Sequence, residues 1–297
     1  MLWLIIIIAA YFLFSLASLG DRYLLVGPPN PKVYAFYVGI LSILVLIFIP
    51  FINFYLPSAS VIGFSFLYGL IFILSLLAIY EGLKRFEVSR IIPALGAFLP
   101  IFTFLLAFFI LGQEGFFTYQ KIFSFCFLIL GSIFISLEES FKVSFKSLLF
   151  AGMAAFFLSL CFVLSKIVYS DLGFWNGFVW MRLGTFFFAL FLFLFKDVRT
   201  EIFRKNKSFT KKTGLVFLFV QATGAIAVVL QNWSIALADT VYISFISALQ
   251  AVQYLFLFVF SLLFYKVLKE RISKKIIFQK IFAIILMTLG LVFLALE

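Results

Sequence analysis

Lys121-Ile122-Phe123-Ser124-Phe125-Cys126-Phe127-Leu128-Ile129-Leu130-Gly131 and Lys280-Ile281-Phe282-Ala283-Ile284-Ile285-Leu286-Met287-Thr288-Leu289-Gly290 share one frame. Each has a lysine, an Ile-Phe pair, an apolar run and a glycine ten residues after the lysine. A run of this kind, with no charge inside it, is at home in hydrocarbon. Two further matches fall in the same order along the chain. Phe14-Ser15-Leu16 with Arg22 lies against Leu158-Ser159-Leu160 with Lys166 at an offset of 144, and Ala94-Leu95 with Ala97 against Ala248-Leu249 with Ala251 at an offset of 154. The chain reads as two similar units, 1–140 and 141–297.

Hydrophobic residues fill 65% of the 297 positions and charged residues 12%, too few polar groups to cover the surface of a soluble domain of this length. A helix needs roughly 20 apolar residues to cross the hydrocarbon. Spans are expected near 2–24, 33–56, 60–82, 91–111, 118–137, 147–168, 174–195, 213–235, 240–265 and 276–296. The longest polar linker runs from Lys196 to Lys212. The predicted fold is therefore an all-α integral membrane protein of ten helices, five to a unit. Because five is odd, the second unit enters from the opposite side, giving inverted repeats about an axis in the membrane plane. Many secondary carriers alternate access this way; channels and scramblases share such symmetry. Met1-Leu2-Trp3 puts no basic residue ahead of the first apolar run, and no small-residue cleavage pattern follows, so the first span is expected to be retained.

The net charge of +11 reads as a topology signal rather than a nucleic-acid footprint. Of 23 basic residues, 20 lie in or beside the connections after spans one, three, five, seven and nine; Lys121, Lys166 and Arg182 lie toward the other side. The positive-inside rule puts the odd-numbered connections in the cytoplasm and both termini outside, as in a multi-pass protein of the cytoplasmic (inner) membrane. Arg204-Lys205-Asn206-Lys207 and Lys274-Lys275 also suit anionic lipid headgroups. Trp3, Trp175, Trp180 and Trp233 fall near span ends, as interfacial anchors do.

Chemistry is sparse. There is no histidine, and the two cysteines, Cys126 and Cys161, lie inside apolar spans, which disfavours a disulfide framework or thiolate metal site. No phosphate-binding loop, dinucleotide fingerprint, zinc spacing or serine-nucleophile motif occurs. Neither an enzyme nor a bound cofactor or metal is expected.

The stretches Leu77-Ala78-Ile79-Tyr80-Glu81-Gly82-Leu83, Pro93-Ala94-Leu95-Gly96-Ala97-Phe98-Leu99-Pro100-Ile101-Phe102 and Leu111-Gly112-Gln113-Glu114 resemble the third and fourth helices of EamA domains in the drug/metabolite transporter superfamily. Members with two such domains have ten spans. Lys166 followed by Arg182 is similar to the family's Lys and Arg around its first loop. The first half keeps Arg22 and Pro31 but has Val38 where the Arg would fall. The second half has Gln253-Tyr254 in place of the fourth-helix Pro and recovers the terminal acid as Glu270. The resemblance implies cytoplasmic termini, against the charge count.

Polar groups at depth mark candidate sites, since a charge at a helix centre costs roughly 2.5–3.5 kcal/mol on insertion scales. Ser247, Gln250, Gln253 and Tyr254 fall three or four residues apart, on one face of span nine. Gln221, Gly224, Gln231 and Asn232, with Trp233 beside them, form a similar stripe on span eight. These amides either line a wet cavity for substrate or join helices by hydrogen bonds. Pro93, Gly96 and Pro100 in span four form a candidate hinge or a fixed kink. Arg22, Lys166 and Arg182 favour an anionic or zwitterionic substrate if they point inward; snorkelling to the headgroups is the favoured reading. The carboxylates Glu81, Glu87, Glu114, Glu138, Glu139 and Glu270 cluster at span ends, which disfavours proton antiport through a deep acid. The expectation is a secondary transporter of a small metabolite such as an amino acid, monomeric or homodimeric, with membrane lipids around it and no nucleic-acid partner. A translocator of an amphipathic or lipid-linked molecule and a non-transporting membrane subunit are the alternatives.

Overall fold

The computed structural model describes residues 2–24, 31–86, 88–112, 118–136, 145–203, 211–263 and 274–295. The expected junction at 140/141 lies outside them. Every regular element among these residues is helical: α1 (Leu2–Leu24), α2 (Pro31–Leu41), α3 (Ala59–Arg85), α4 (Val88–Leu111), α5 (Tyr119–Ser136), α6 (Phe145–Leu192), α7 (Lys196–Phe203), α8 (Lys211–Leu237), α9 (Ile243–Ala248), α10 (Gln250–Leu263) and α11 (Lys274–Ala295), with 3₁₀ segments at Ser42–Phe51 and Thr240–Tyr242. Five segments of the described chain are long and apolar enough to cross a membrane, and four further apolar helices are shorter. The architecture is that of an all-α membrane protein.

Two expected spans take a different form. The second tightens into the 3₁₀ segment after Leu41 and leaves the helix at Ile52, where φ is −126° and ψ 155°. Pro50 lacks the N–H for the next helical bond, so the chain does not continue helically to 56. The ninth is broken at Leu249: the Val252 N–H bonds back only three residues, to the Leu249 carbonyl. Spans six and seven are the two helical arms of α6, 48 residues in all, and meet at a single non-helical residue, Gly173, at φ 67° and ψ 179°. A straight helix of that length would extend roughly 70 Å. Instead the chain folds back at Gly173, since Cys161 in the first arm and Arg182 in the second both lie within electrostatic reach of Tyr68 on α3. An L side chain would strain that backbone; glycine does not. Gly177, four residues on, packs against Tyr169 and Val168 of its own hairpin.

Helix α3 crosses the second arm of α6 with backbones in contact. A Cβ built on Gly69 would stand 2.2 Å from the Gly184 carbonyl carbon, and one on Gly184 would stand 2.7 Å from the Ser65 carbonyl oxygen. Small residues permit this approach, the usual basis of helix association where lipid removes the hydrophobic drive. Helices α5 and α11 pair reciprocally. Gly131 lies against Ala283 and Met287, while Gly290 lies against Ser124 and Leu128; each of these α11 residues follows its α5 counterpart by 159 positions. Elsewhere α1 packs on α8 and α10, and α6 packs on α3 and α4.

A Gly69→Ala substitution forces the α3–α6 crossing apart and is expected to cost about 1–3 kcal/mol, the range for overpacked sites. Gly63→Ala, on the same helix with nothing within 4 Å of its Cβ, should leave thermal stability unchanged or slightly raised. Thermal unfolding in detergent micelles compares the two directly.

Candidate functional site

The polar side chains in the bundle gather into two clusters, one on either side of α8. In the first, the Tyr11 hydroxyl of α1 donates 2.7 Å to the Ile246 carbonyl, just before the break in span nine. The Gln231 side chain of α8 reaches the same hydroxyl, and Tyr254 is within electrostatic reach of it. On α10, Gln253 Nε2 donates 3.3 Å to Ser18 Oγ, which donates in turn to the Phe14 carbonyl. The break removes Ser247 from the expected face: it is fully buried and donates to the Ser244 carbonyl. Gln250, Gln253 and Tyr254 remain half-buried together, and Gln250 makes no hydrogen bond among the described residues. Ser15, fully buried, bonds within its own helix.

The second cluster lies between α3, both arms of α6 and α8. Arg182 is only 8% exposed. Its guanidinium carbon sits 5.3 Å from the Phe72 ring centre and 5.1 Å from that of Phe178. Tyr68, Tyr169 and Cys161 are all within electrostatic reach of it. Tyr169 donates 2.8 Å to Asn232 Oδ1 on α8, and Asn232 Nδ2 donates to the Val228 carbonyl. Snorkelling, the favoured sequence reading, does not describe Arg182: the α3–α6 crossing at Gly184 holds its helix against α3, so the side chain is trapped inside. Nor does it describe Lys166, whose Nζ donates to the Ala236 and Ala238 carbonyls at the end of α8 beside Asp239. That lysine caps a helix C-terminus, where a cation is favoured. The side chain of Arg22 lies outside the described residues.

The remaining candidates are dispersed. Gln221 is half-buried on α8, away from both clusters in sequence and without a hydrogen bond among the described residues. Trp233 is 42% exposed and stacks on Phe174 with centroids 6.1 Å apart. Trp3, at the start of α1, is buried against the bundle; it stacks on Tyr242, and its carbonyl accepts from Ser234. The candidate hinge lies in an unbroken α4. Pro100 has no N–H for the Gly96 carbonyl one turn back, and Ser132 Oγ of α5 fills that vacancy at 3.0 Å. Three residues further on, the Leu99 carbonyl accepts from Ser159 of α6 and from Thr103. Pro93 belongs to the same helix near its start. Glu81 forms a two-bond ion pair with Arg85 one turn along, an end-of-helix pair and not a deep acid.

Sequence reasoning missed Tyr11, Tyr68 and Tyr169. For Tyr11 and Tyr68 the signal was depth, since tyrosine favours the membrane interface and these two sit well inside apolar spans; Tyr169 lies beside the turn at Gly173 and gave no such signal.

No protein-family model and no curated protein matches the chain. Solved structures do: one, described as the crystal structure of a protein, is similar over 98% of this chain and 96% of its own, with a TM-score of 0.69 and 14% identity. That likeness is one of fold.

Ser132→Ala leaves the Gly96 carbonyl buried without a donor, at an expected cost of about 1–3 kcal/mol. Pro100→Ala supplies the missing N–H, so the double variant should regain most of the stability lost. A thermal double-mutant cycle checks the coupling.

Proposed function

We propose that the chain is a secondary transporter for a small metabolite, built as two inverted five-helix repeats of the EamA type in the cytoplasmic membrane, with its odd-numbered connections on the cytoplasmic side. The observation that carries this reading is the reciprocity of the packing. Exchanging α1 with α6, α3 with α8, and α4 with the α9–α10 span turns the contacts α1–α8 and α1–α10 into α6–α3 and α6–α4. The α5–α11 pair maps onto itself through Gly131 and Gly290. Two halves related in this way can exchange conformations around a shared interior, which is how inverted repeats alternate access.

The interior suits the task. Gln253 joins α10 to Ser18 of α1 with Gln250 and Tyr254 beside it, and Arg182 and Asn232 lie where α6 meets α3 and α8, so a solute between the halves would meet amides, hydroxyls and one fixed cation in otherwise apolar walls. Pro100 in α4 and the break at Leu249 are the matching points at which each half would bend. Their carbonyls are held by hydroxyls from neighbouring helices, so bending exchanges hydrogen bonds rather than exposing bare backbone to lipid.

A second reading has its own observation. A half-open groove of about 330 Å³ between α3, α4 and the first arm of α6 is lined only by apolar side chains, among them Leu67, Ile71, Ile110 and Leu164. Leu67 and Ile110 are exposed at its rim. A lateral groove of this kind favours an amphipathic cargo, and then the protein is a lipid translocator.

Flux in proteoliposomes, with a panel of amino acids and small metabolites and with or without a pH gradient, tests the proposal. Saturable uptake is expected, and Gln250→Ala/Gln253→Ala should lower it about tenfold, the equivalent of one or two hydrogen bonds. Movement of a fluorescent phospholipid with no solute flux would favour the second reading. Movement of neither would overturn both.

A further inference from the structure

We propose that Arg182 and Tyr68 form a recognition site for an organic monoanion, specifically the carboxylate of a solute with an apolar or aromatic body. The proposal rests on the transporter reading only for the fate of the bound molecule; the binding site stands on its own geometry.

Arginine carries five N–H donors and a charge that does not titrate in proteins. The side chain is only 8% exposed, and Arg182 forms no hydrogen bond and no ion pair with a carboxylate among the described residues. The faces of Phe72 and Phe178 balance part of the charge by cation–π attraction but accept none of the in-plane N–H groups. Tyr68, 5% exposed, is in the same condition. Its ring stacks on Phe72, it lies within electrostatic reach of Arg182, and its hydroxyl has no hydrogen-bond partner among the described residues. Among the described residues Asn176 Oδ1 alone is a fully buried side-chain polar atom without a partner, so the polar ends of Arg182 and Tyr68 keep some accessible surface; two such donors in one field, neither used by the protein, describe an anion site.

The backbone crossing explains why the two are together. Tyr68 precedes Gly69, and Arg182 lies two residues before Gly184, so the contact between those glycines fixes both side chains in one place. Arg182 stands eight residues into the arm that begins near Phe174, roughly 12 Å along it, close to the middle of a bilayer, where carriers hold their substrates.

Charge balance selects the class. The other cation nearby, Lys166, is occupied by two carbonyls of α8 and by Asp239, so the site offers one net positive charge. A carboxylate neutralises it and accepts from a planar fork and a hydroxyl together. A phosphate dianion would leave a negative charge unpaired among phenylalanines. The rings of Phe72 and Phe178 then face the body of the ligand, which favours benzoate or phenylacetate over acetate.

The test uses the purified full-length protein in lipid nanodiscs, with benzoate, its neutral amide benzamide, and phenyl phosphate as probes, and with binding read by tryptophan fluorescence and thermal shift. Benzoate is expected to bind saturably and benzamide and phenyl phosphate at least about tenfold more weakly, because they lack the charge or carry too much of it. Arg182→Gln should weaken benzoate roughly 30-fold or more, and Tyr68→Phe, which keeps the ring and its stacking, about tenfold. Should Arg182→Gln fail to fold, Tyr68→Phe decides alone. Equal binding of benzoate and benzamide, tighter binding of phenyl phosphate, or benzoate affinity unchanged in Tyr68→Phe would overturn the proposal. Arg182-dependent binding of benzoate without flux of any solute in proteoliposomes would leave this site standing and remove the transporter reading; solute flux with no carboxylate preference would do the reverse.

Discussion

Between α3 and the second arm of α6 no side chain separates the two backbones, since a Cβ on either Gly69 or Gly184 would overlap the main chain opposite. In lipid, two apolar helices gain little by hiding from a solvent as apolar as themselves, so van der Waals contact at this range is a main source of their association. The rest of the interior follows from the crossing. It fixes the height of Tyr68 and Arg182, keeps the guanidinium from reaching the headgroups, and carries the first arm of α6 back along α3 so that Tyr169 meets Asn232.

Hydroxyl groups take up most of what remains polar. Ser132 occupies the carbonyl that Pro100 leaves open, Ser159 joins α6 to the same stretch, and Tyr11 holds Ile246 beside the break in span nine. The two stretches thus meet one problem, a helical hydrogen bond lost in a medium without water, with different residues. In α4 the donor is missing at Pro100. In span nine a 3₁₀ step at Leu249 interrupts the helix.

The apolar helices, their order and the turn between residues 168 and 174 were legible in the sequence, because run length and composition decide them. The candidate site was legible only in part. Spacing put Gln250, Gln253 and Tyr254 on one face, and they share it, but the same spacing included Ser247, which the break at Leu249 turns away; a 3₁₀ step leaves no mark in a run of apolar residues. Arg182 was visible as a charge within a span. Its direction was not, since that depends on Gly69 in another helix more than a hundred residues earlier. Tyr68 was hidden for a simpler reason: a tyrosine counts as apolar in any hydropathy sum, and its hydroxyl becomes important only once its surroundings are known.

Gly173 has a consequence for how the chain is made. With a single residue turning one arm of α6 into the other, no loop exists in which the second arm can wait outside while the first settles. A hairpin this tight can pass into the bilayer as one body, and Arg182 then enters already shielded by the arm that carries Cys161 and Tyr169. The insertion machinery thus meets a paired helix whose cation is half covered, a smaller barrier than that helix would face alone. One glycine's freedom at positive φ thereby governs the birth of the protein as well as its shape.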